Sequence, residues 1–273
     1  MSCLGIMSAR KTVSSVLEYL KSGKVLGTRS PQILQSEKSI LKNESTALRY
    51  KSYYPSLRKE DFISILPERI LAPKADSGYM SDDTFQLVKC RDPKFFQFQD
   101  SYILLFRDNK AMRKYYESTS LSRIFKVRVK FNILPKNDGM IPVYSRYAKN
   151  LESAFQGGES YFKSIKEEQP IEDLSEQDLI LLQKSVIPIE ERSALIWNLP
   201  IQLKSHNIMD KFWFYDIKHC FKLYWDTQTG KTLHYVAFND PVDCLKLKRN
   251  FHGVNFDDCP QYKLLVETLN GEC

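Results

Sequence analysis

The chain has 273 residues, 42% of them hydrophobic and 12% aromatic. That is enough for one large or two small cored domains and too rich in aromatics for a disordered polymer. No run of 18 apolar residues occurs, which excludes a membrane-spanning helix, and the six Cys and four His form no C-x-x-C pair and no zinc spacing, so free thiols in a reducing compartment are expected.

The net charge of +7 is unevenly spread. Residues 1–150 hold 27 Lys and Arg against 14 Asp and Glu, residues 151–192 hold 4 against 10, and residues 193–273 hold 9 against 9. The first part therefore has the electrostatic footprint of a polyanion binder, because each neutralised phosphate releases counterions. A solvated basic surface is the plainer reading of the same charge.

Residues 1–44 start without the apolar centre of a secretory signal. They carry Val13, Val16, Leu17 and Leu20 at helical spacing, and within the first 36 residues Arg10, Lys11, Lys21, Lys24 and Arg29 stand against one acid, Glu18. A basic, acid-poor, amphipathic segment is the composition of a mitochondrial targeting helix, and also of an ordinary surface helix.

Residues 45–135 read as β-α-β-β-α-β, the ferredoxin-like order. A basic, aromatic strand at 47–53 supplies Arg49 and Lys51. A helix at 56–66 stops at Pro67, and a loop with Pro73 and Gly78 follows. Strands are expected at 84–90 and 101–106, then a helix capped by Asp108. A final strand is expected at 125–131, where alternation places Lys126, Arg128 and Lys130 on one face and Phe125, Val127, Val129 and Phe131 on the other.

Residues 136–192 read as an acidic helical connector. Tyr144, Ala148, Leu151, Phe155, Gly158, Phe162 and Ile165 make a heptad seam over 141–168, weakened at Gly157-Gly158 and expected to pack on the flanking domains. A second helix at 175–185 begins with Ser175 and Asp178 spaced as a capping box.

Residues 193–273 repeat β-α-β-β-α-β. Ala194-Leu195-Ile196-Trp197-Asn198-Leu199-Pro200 matches the six-residue ribonucleoprotein motif ending in Asn-Leu, Asp226-Thr227-Gln228-Thr229-Gly230-Lys231 matches the Asp-x-x-Thr-Gly-Lys hairpin, and residues 231–238 match the eight-residue motif at Lys231, Tyr235, Val236 and Phe238. This is the RNA-recognition-motif pattern. The fold class expected is α+β, with two RNA-recognition-motif-like domains joined by the helical connector.

In such domains, aromatics on the open sheet face stack bases. Alternation sends Leu195, Trp197, Lys222, Tyr224, Leu233 and Tyr235 to that face, so two stacking positions hold Leu and one holds Tyr235. His234, on the opposite face, reads as a satisfied core histidine. The RNA-binding candidates are therefore Arg49, Lys51, Lys126, Arg128, Lys130, Trp197, Lys222, Tyr224, Lys231 and Tyr235, with phosphate contacts concentrated in the basic N-terminal half. Phe212-Trp213-Phe214-Tyr215 is an aromatic run with two members expected to be exposed. It is a partner-docking candidate, with filling space against the connector helices as the bland alternative. No catalytic, metal or cofactor motif is present, and no enzyme activity is expected.

Residues 59–67, 91–98, 194–215 and 248–253 together resemble the yeast "petite" mitochondrial family that activates translation of the cytochrome c oxidase subunit III messenger. The resemblance covers most of the chain. It implies a protein on the matrix side of the mitochondrial inner membrane, held peripherally at the membrane surface. It would bind the messenger's 5′ leader beside other translational activators, in reach of the mitochondrial ribosome, and assist splicing of a group I intron in the subunit I transcript. The competing expectation is a protein-interaction scaffold at the inner membrane whose recognition fold has lost RNA.

Overall fold

Strand β1 (Ala47–Lys51) alternates as read: Leu48 and Tyr50 are buried, while Arg49 and Lys51 are not. The structure, a computed structural model, describes residues 45–67, 85–135, 140–167 and 176–270, and of 176–180 the backbone alone. The basic segment at 1–44, the loop with Pro73 and Gly78, and the Ser175 cap lie outside the described residues.

After β1 come α1 (Lys59–Ser64), β2 (Gln86–Arg91), β3 (Phe98–Leu105), α2 (Asn109–Thr119), a small hairpin of β4 (Arg123–Ile124) and β5 (Val127–Arg128), and β6 (Phe131–Leu134). The sheet order is β2-β3-β1-β6, all antiparallel. One sheet face packs Leu48, Tyr50, Tyr102 and Leu104 against Phe62 of α1 and Met112 and Tyr115 of α2. Asp108 caps α2 by accepting from the Ala111 amide at 2.7 Å.

The connector is α3 (Met140–Gln156), α4 (Gly158–Lys166) and α5 (Glu176–Glu191). The single helix expected over 141–168 breaks at Gly157. Gly158 lets α4 start against the second domain, since a Cβ there would lie 3.2 Å from the Phe221 ring. Helix α5 runs past the expected stop at Ser185, through Pro188.

The second domain is β7 (Ser193–Trp197), α6 (Ser205–Lys211), β8 (Ile217–Trp225), β9 (Thr232–Phe238), α7 (Pro241–Phe251) and β10 (Leu265–Thr268), with sheet order β10-β7-β9-β8. Its helix-side core holds Ala194, Ile196, Val236 and Phe238 with Ile208, Phe212, Cys244 and Leu247. Both halves therefore have the α+β, ferredoxin-like fold that the periodicity predicts.

The outer faces of the two sheets belong to one further core. Val88, Ile103 and Leu134 come from the first sheet, and Leu195, Phe221, Leu223, Leu233 and Tyr235 from the second. Tyr144, Tyr147, Ala148 and Leu151 of α3, Tyr161 of α4 and Val186 of α5 complete it. All described residues belong to one compact unit, residues 44–273.

Two expectations for strands are corrected. Residues 125–131 are not one strand: Phe125 and Lys126 have φ of 47° and 69° and form the two-residue turn of the β4–β5 hairpin. Lys126, Arg128 and Lys130 thus share no sheet face, and Phe125 and Val127 are exposed rather than buried with Val129 and Phe131. In β8, irregularities between Ile217 and His219 and between Lys222 and Tyr224 shift the alternation, so Phe221 and Leu223 face the shared core.

Candidate nucleic-acid interface

The open face of the second sheet, where bases stack in this fold, is filled by the chain itself. Leu195, Leu233 and Tyr235 are 0% exposed. The Tyr235 ring lies 5.7 Å from Phe96 and 5.3 Å from Phe221, and Tyr161 packs on Phe96 at 5.6 Å. The Tyr235 hydroxyl shares a hydrogen bond with Ser193 Oγ at 2.7 Å, and burial raises the phenol pKa. Tyr235 is therefore a core residue here and cannot stack a base. Trp197 is half-buried at the edge of the same core.

Lys222 pairs with His234 across β8–β9, and its Nζ donates to the Ile201 carbonyl at 2.6 Å. It leaves the stacking face because the irregularity in β8 breaks the period of two. Tyr224 pairs with Leu233 and is 40% exposed, its ring 6.0 Å from Phe95. Lys231 is exposed beside the hairpin in which Asp226 accepts from the Gln228 amide and the Thr229 hydroxyl. His234 is in the core but is not satisfied: neither ring nitrogen has a partner among the described residues, and burial pulls its pKa down to about 3.

The plug on this face is the β2–β3 connection, residues 92–97. Asp92 Oδ1 accepts from the amides of Lys94 and Phe95, folding a tight turn. Phe96, at φ 59°, points its ring into the shared core. Asn150 Nδ2 donates to the Pro93 carbonyl at 2.8 Å, and the Tyr161 hydroxyl donates to the Lys94 carbonyl. Arg91 then ties the halves together. Its guanidinium donates to Phe96 O at 2.6 Å, Glu267 Oε1 at 2.8 Å and Leu269 O at 2.6 Å, with 2% of the residue exposed. Burial opposes the Arg91 charge, but Glu267 and its neighbours outweigh that, and the pKa is raised. Lys89, two residues before Arg91 in β2, is brought down to about 7 by burial and by Arg91. Glu190 is raised by burial and accepts from the Tyr147 hydroxyl at 2.6 Å.

The first sheet differs. Its outer face keeps a pocket of about 520 Å³ between β1, β2, β3 and α3. Arg49, Lys51, Ser52 and Tyr53 line one side, Gln99, Asp100 and Ser101 another, and Met140, Val143 and Tyr144 of α3 the third. Arg49 and Lys51 are thus brought together as the alternation of β1 predicts. Tyr53, 89% exposed, stands at the rim. Its neighbour Tyr54 meets the Phe125 ring edge-on at 5.6 Å, which joins the pocket to the β4–β5 hairpin. Lys126, Arg128 and Lys130 are exposed on and after that hairpin. Tyr53, Tyr54 and Phe125 were not singled out by sequence. The available signal was a Tyr pair directly before Pro55, where the strand must end.

The aromatic run 212–215 divides in two. Phe212 is buried against Phe251 and Phe256, and Tyr215 accepts from Asn250 Nδ2 at 2.9 Å. These two fill the second domain's own core rather than space against the connector. Trp213 and Phe214 are 68% and 72% exposed and stack on each other at 3.7 Å. Among the described residues no group of His, Cys, Asp and Glu is arranged to hold a metal ion.

Fold and site define a protein of two RNA-recognition-motif-like domains, held with both outer sheet faces in one core and with one basic pocket left open. Residues 44–153 match the family described as Protein PET54 N-terminal domain. The chain is 38% identical over 260 residues to Protein PET54 of Saccharomyces cerevisiae, covering 90% of this chain and 88% of that protein. It is also 38% identical over 257 residues to Protein PET54 of Saccharomyces bayanus, covering 89% and 87%. The chain belongs to the PET54 family. Among solved structures it is similar to the Mip6 RRM3 domain, at 18% identity and TM-score 0.26 over 29% of this chain and 93% of that one. It is similar also to the first two RRM domains of yeast Pub1, at 10% identity and TM-score 0.22 over 81% and 97%.

Proposed function

We propose that the chain is a mitochondrial RNA-binding protein that contacts RNA through its N-terminal domain. The observation that carries this reading is the contrast between the two sheets. The face carrying the ribonucleoprotein motifs is buried by the protein, whereas the first face keeps an open pocket lined by Arg49 and Lys51. The cations suit phosphates, and Gln99, Asp100 and Ser101 offer donors and acceptors to a base edge. Lys126, Arg128 and Lys130 extend the positive field along the hairpin.

Family membership and the resemblance together support a finer assignment. The RNA would be the leader of the cytochrome c oxidase subunit III messenger, with a group I intron as second ligand. The protein would act without catalysis on the matrix side of the inner membrane, beside other activators and the ribosome. Titrating the full chain with a labelled leader RNA tests the binding site. Arg49→Glu with Lys51→Glu is expected to weaken binding about tenfold or more and to flatten its salt dependence. Unchanged affinity and slope would remove the pocket from the account.

A second reading, a protein-interaction scaffold, draws on the exposed stacked pair Trp213 and Phe214. Under it, Trp213→Ala with Phe214→Ala abolishes co-purification of another activator, and the wild-type chain shows no RNA crosslinks in its organelle.

A further inference from the structure

The hairpin β4–β5 is an insertion in the recognition fold, and three of its features are unfavourable without a ligand. Its turn places Phe125 and Lys126 at positive φ, a conformation that Asn and Gly adopt far more readily. It pairs Arg123 directly opposite Arg128, a like-charge contact, and among the described residues neither forms an ion pair. It leaves Phe125 65% exposed, packed edge-on against Tyr54, and Tyr53, the residue before Tyr54, is 89% exposed. No acidic residue occurs from 118 to 137, so the hairpin segment carries only positive charge, while Asp100 lines the pocket beside Tyr53.

A polyanion with flat apolar rings answers the like-charge pair and the exposed ring. We infer that Tyr53 and Phe125 are base-stacking residues and that the site therefore takes unpaired rather than duplex RNA. This rests on the RNA reading of the neighbouring pocket and specifies its ligand. Bases in a duplex are stacked on each other and cannot reach protein rings, whereas single strands offer them freely. Stacking in this protein is thereby moved from the sheet face, where Phe96 occupies the Tyr235 position's partner space, to a tyrosine pair and a hairpin tip beside the other sheet. Arg123, Lys126 and Arg128 would follow the phosphates between the rings.

The test compares the full chain with Tyr53→Ala plus Phe125→Asn, using a labelled single-stranded RNA and a duplex of equal length. Asn suits the turn better than Phe, so thermal stability should hold or rise while single-strand affinity falls about tenfold or more. The salt slope should be unchanged, because no cation is removed. Tyr53→Trp with Phe125→Tyr should keep single-strand binding. Duplex preferred over single strand by the wild type, or full single-strand affinity in the Tyr53→Ala, Phe125→Asn variant, overturns the inference. If Arg49→Glu with Lys51→Glu still loses binding in that case, the pocket reading survives alone; if neither variant changes binding, both fail. Vesicles of phosphatidylcholine with phosphatidylserine provide the remaining comparison. Vesicle binding lost by the aromatic variant, with RNA binding retained, would make the tip a lipid contact and overturn the inference.

Discussion

The two sheets of this protein have the same topology and both enter one core with their outer faces, but they differ in what is left beside it. The second carries recognisable ribonucleoprotein motifs, yet its stacking face is closed by Phe96, Tyr161 and the connector helices. The first carries no such motif, yet its face holds the pocket with Arg49 and Lys51. Motif and accessibility are thus separate properties. The residues that define a recognition fold can be retained for packing, since an aromatic at the Tyr235 position serves a core as well as it serves a base.

That contrast can be broken at the lock between the halves. Arg91→Ala removes the guanidinium that bridges Phe96, Glu267 and Leu269, and should cost roughly 3–5 kcal/mol in urea unfolding. A loss under about 1 kcal/mol would show that the second face is not held shut by this contact. Next in size is Lys89, whose pKa lies near 7 in the fold and 10.5 outside it. The unfolded chain binds the extra proton between these values, so this residue makes stability rise from about pH 7 to about pH 10. The charges of Arg91, Glu267 and Glu190 also act on Lys89, so the comparison is with Lys89→Met. That variant should lose the rise and be more stable near neutral pH, on the order of 3 kcal/mol. An identical pH profile would contradict the burial of the charge.

Smaller effects sharpen the same comparison. Gly158→Leu forces a side chain into the Phe221 ring and should cost roughly 1–3 kcal/mol by overpacking, read as a lowered Tm. Tyr235→Phe removes one hydroxyl bonded to Ser193 and should cost about 1 kcal/mol. RNA affinity should not move with it. Reduced affinity in a fully folded Tyr235→Phe chain would return the second face to the RNA site.

Much of the fold was written in the period of the sequence. The alternation of β1, the Asp108 cap and the Asp226 turn each read correctly, because local chemistry decides them. Arg49 and Lys51, from the basic first part of the chain, line a pocket together, as the alternation of β1 allows. What failed were features set by tertiary contact. Residues 125–131 alternate like a strand, and no Gly or Asn announces the turn at Phe125 and Lys126. The irregularities in β8 carry no residue signature, so Lys222 was assigned to the wrong side of its sheet. The closure of the second face was half-legible: Ala194-Leu195-Ile196-Trp197 is a continuous apolar run, the pattern of a strand buried on both sides. Which segment covers it was not, because Phe96 lies about a hundred residues away in the chain.

The most direct test is photo-crosslinking of the full chain to a single-stranded RNA containing 4-thiouridine, with the linked peptides mapped by mass spectrometry. Crosslinks within residues 45–58 and 121–130, at Tyr53 and Phe125 above all, are the predicted result. Crosslinks at Leu195, Leu233 or Tyr235, with none in the N-terminal domain, would contradict the account.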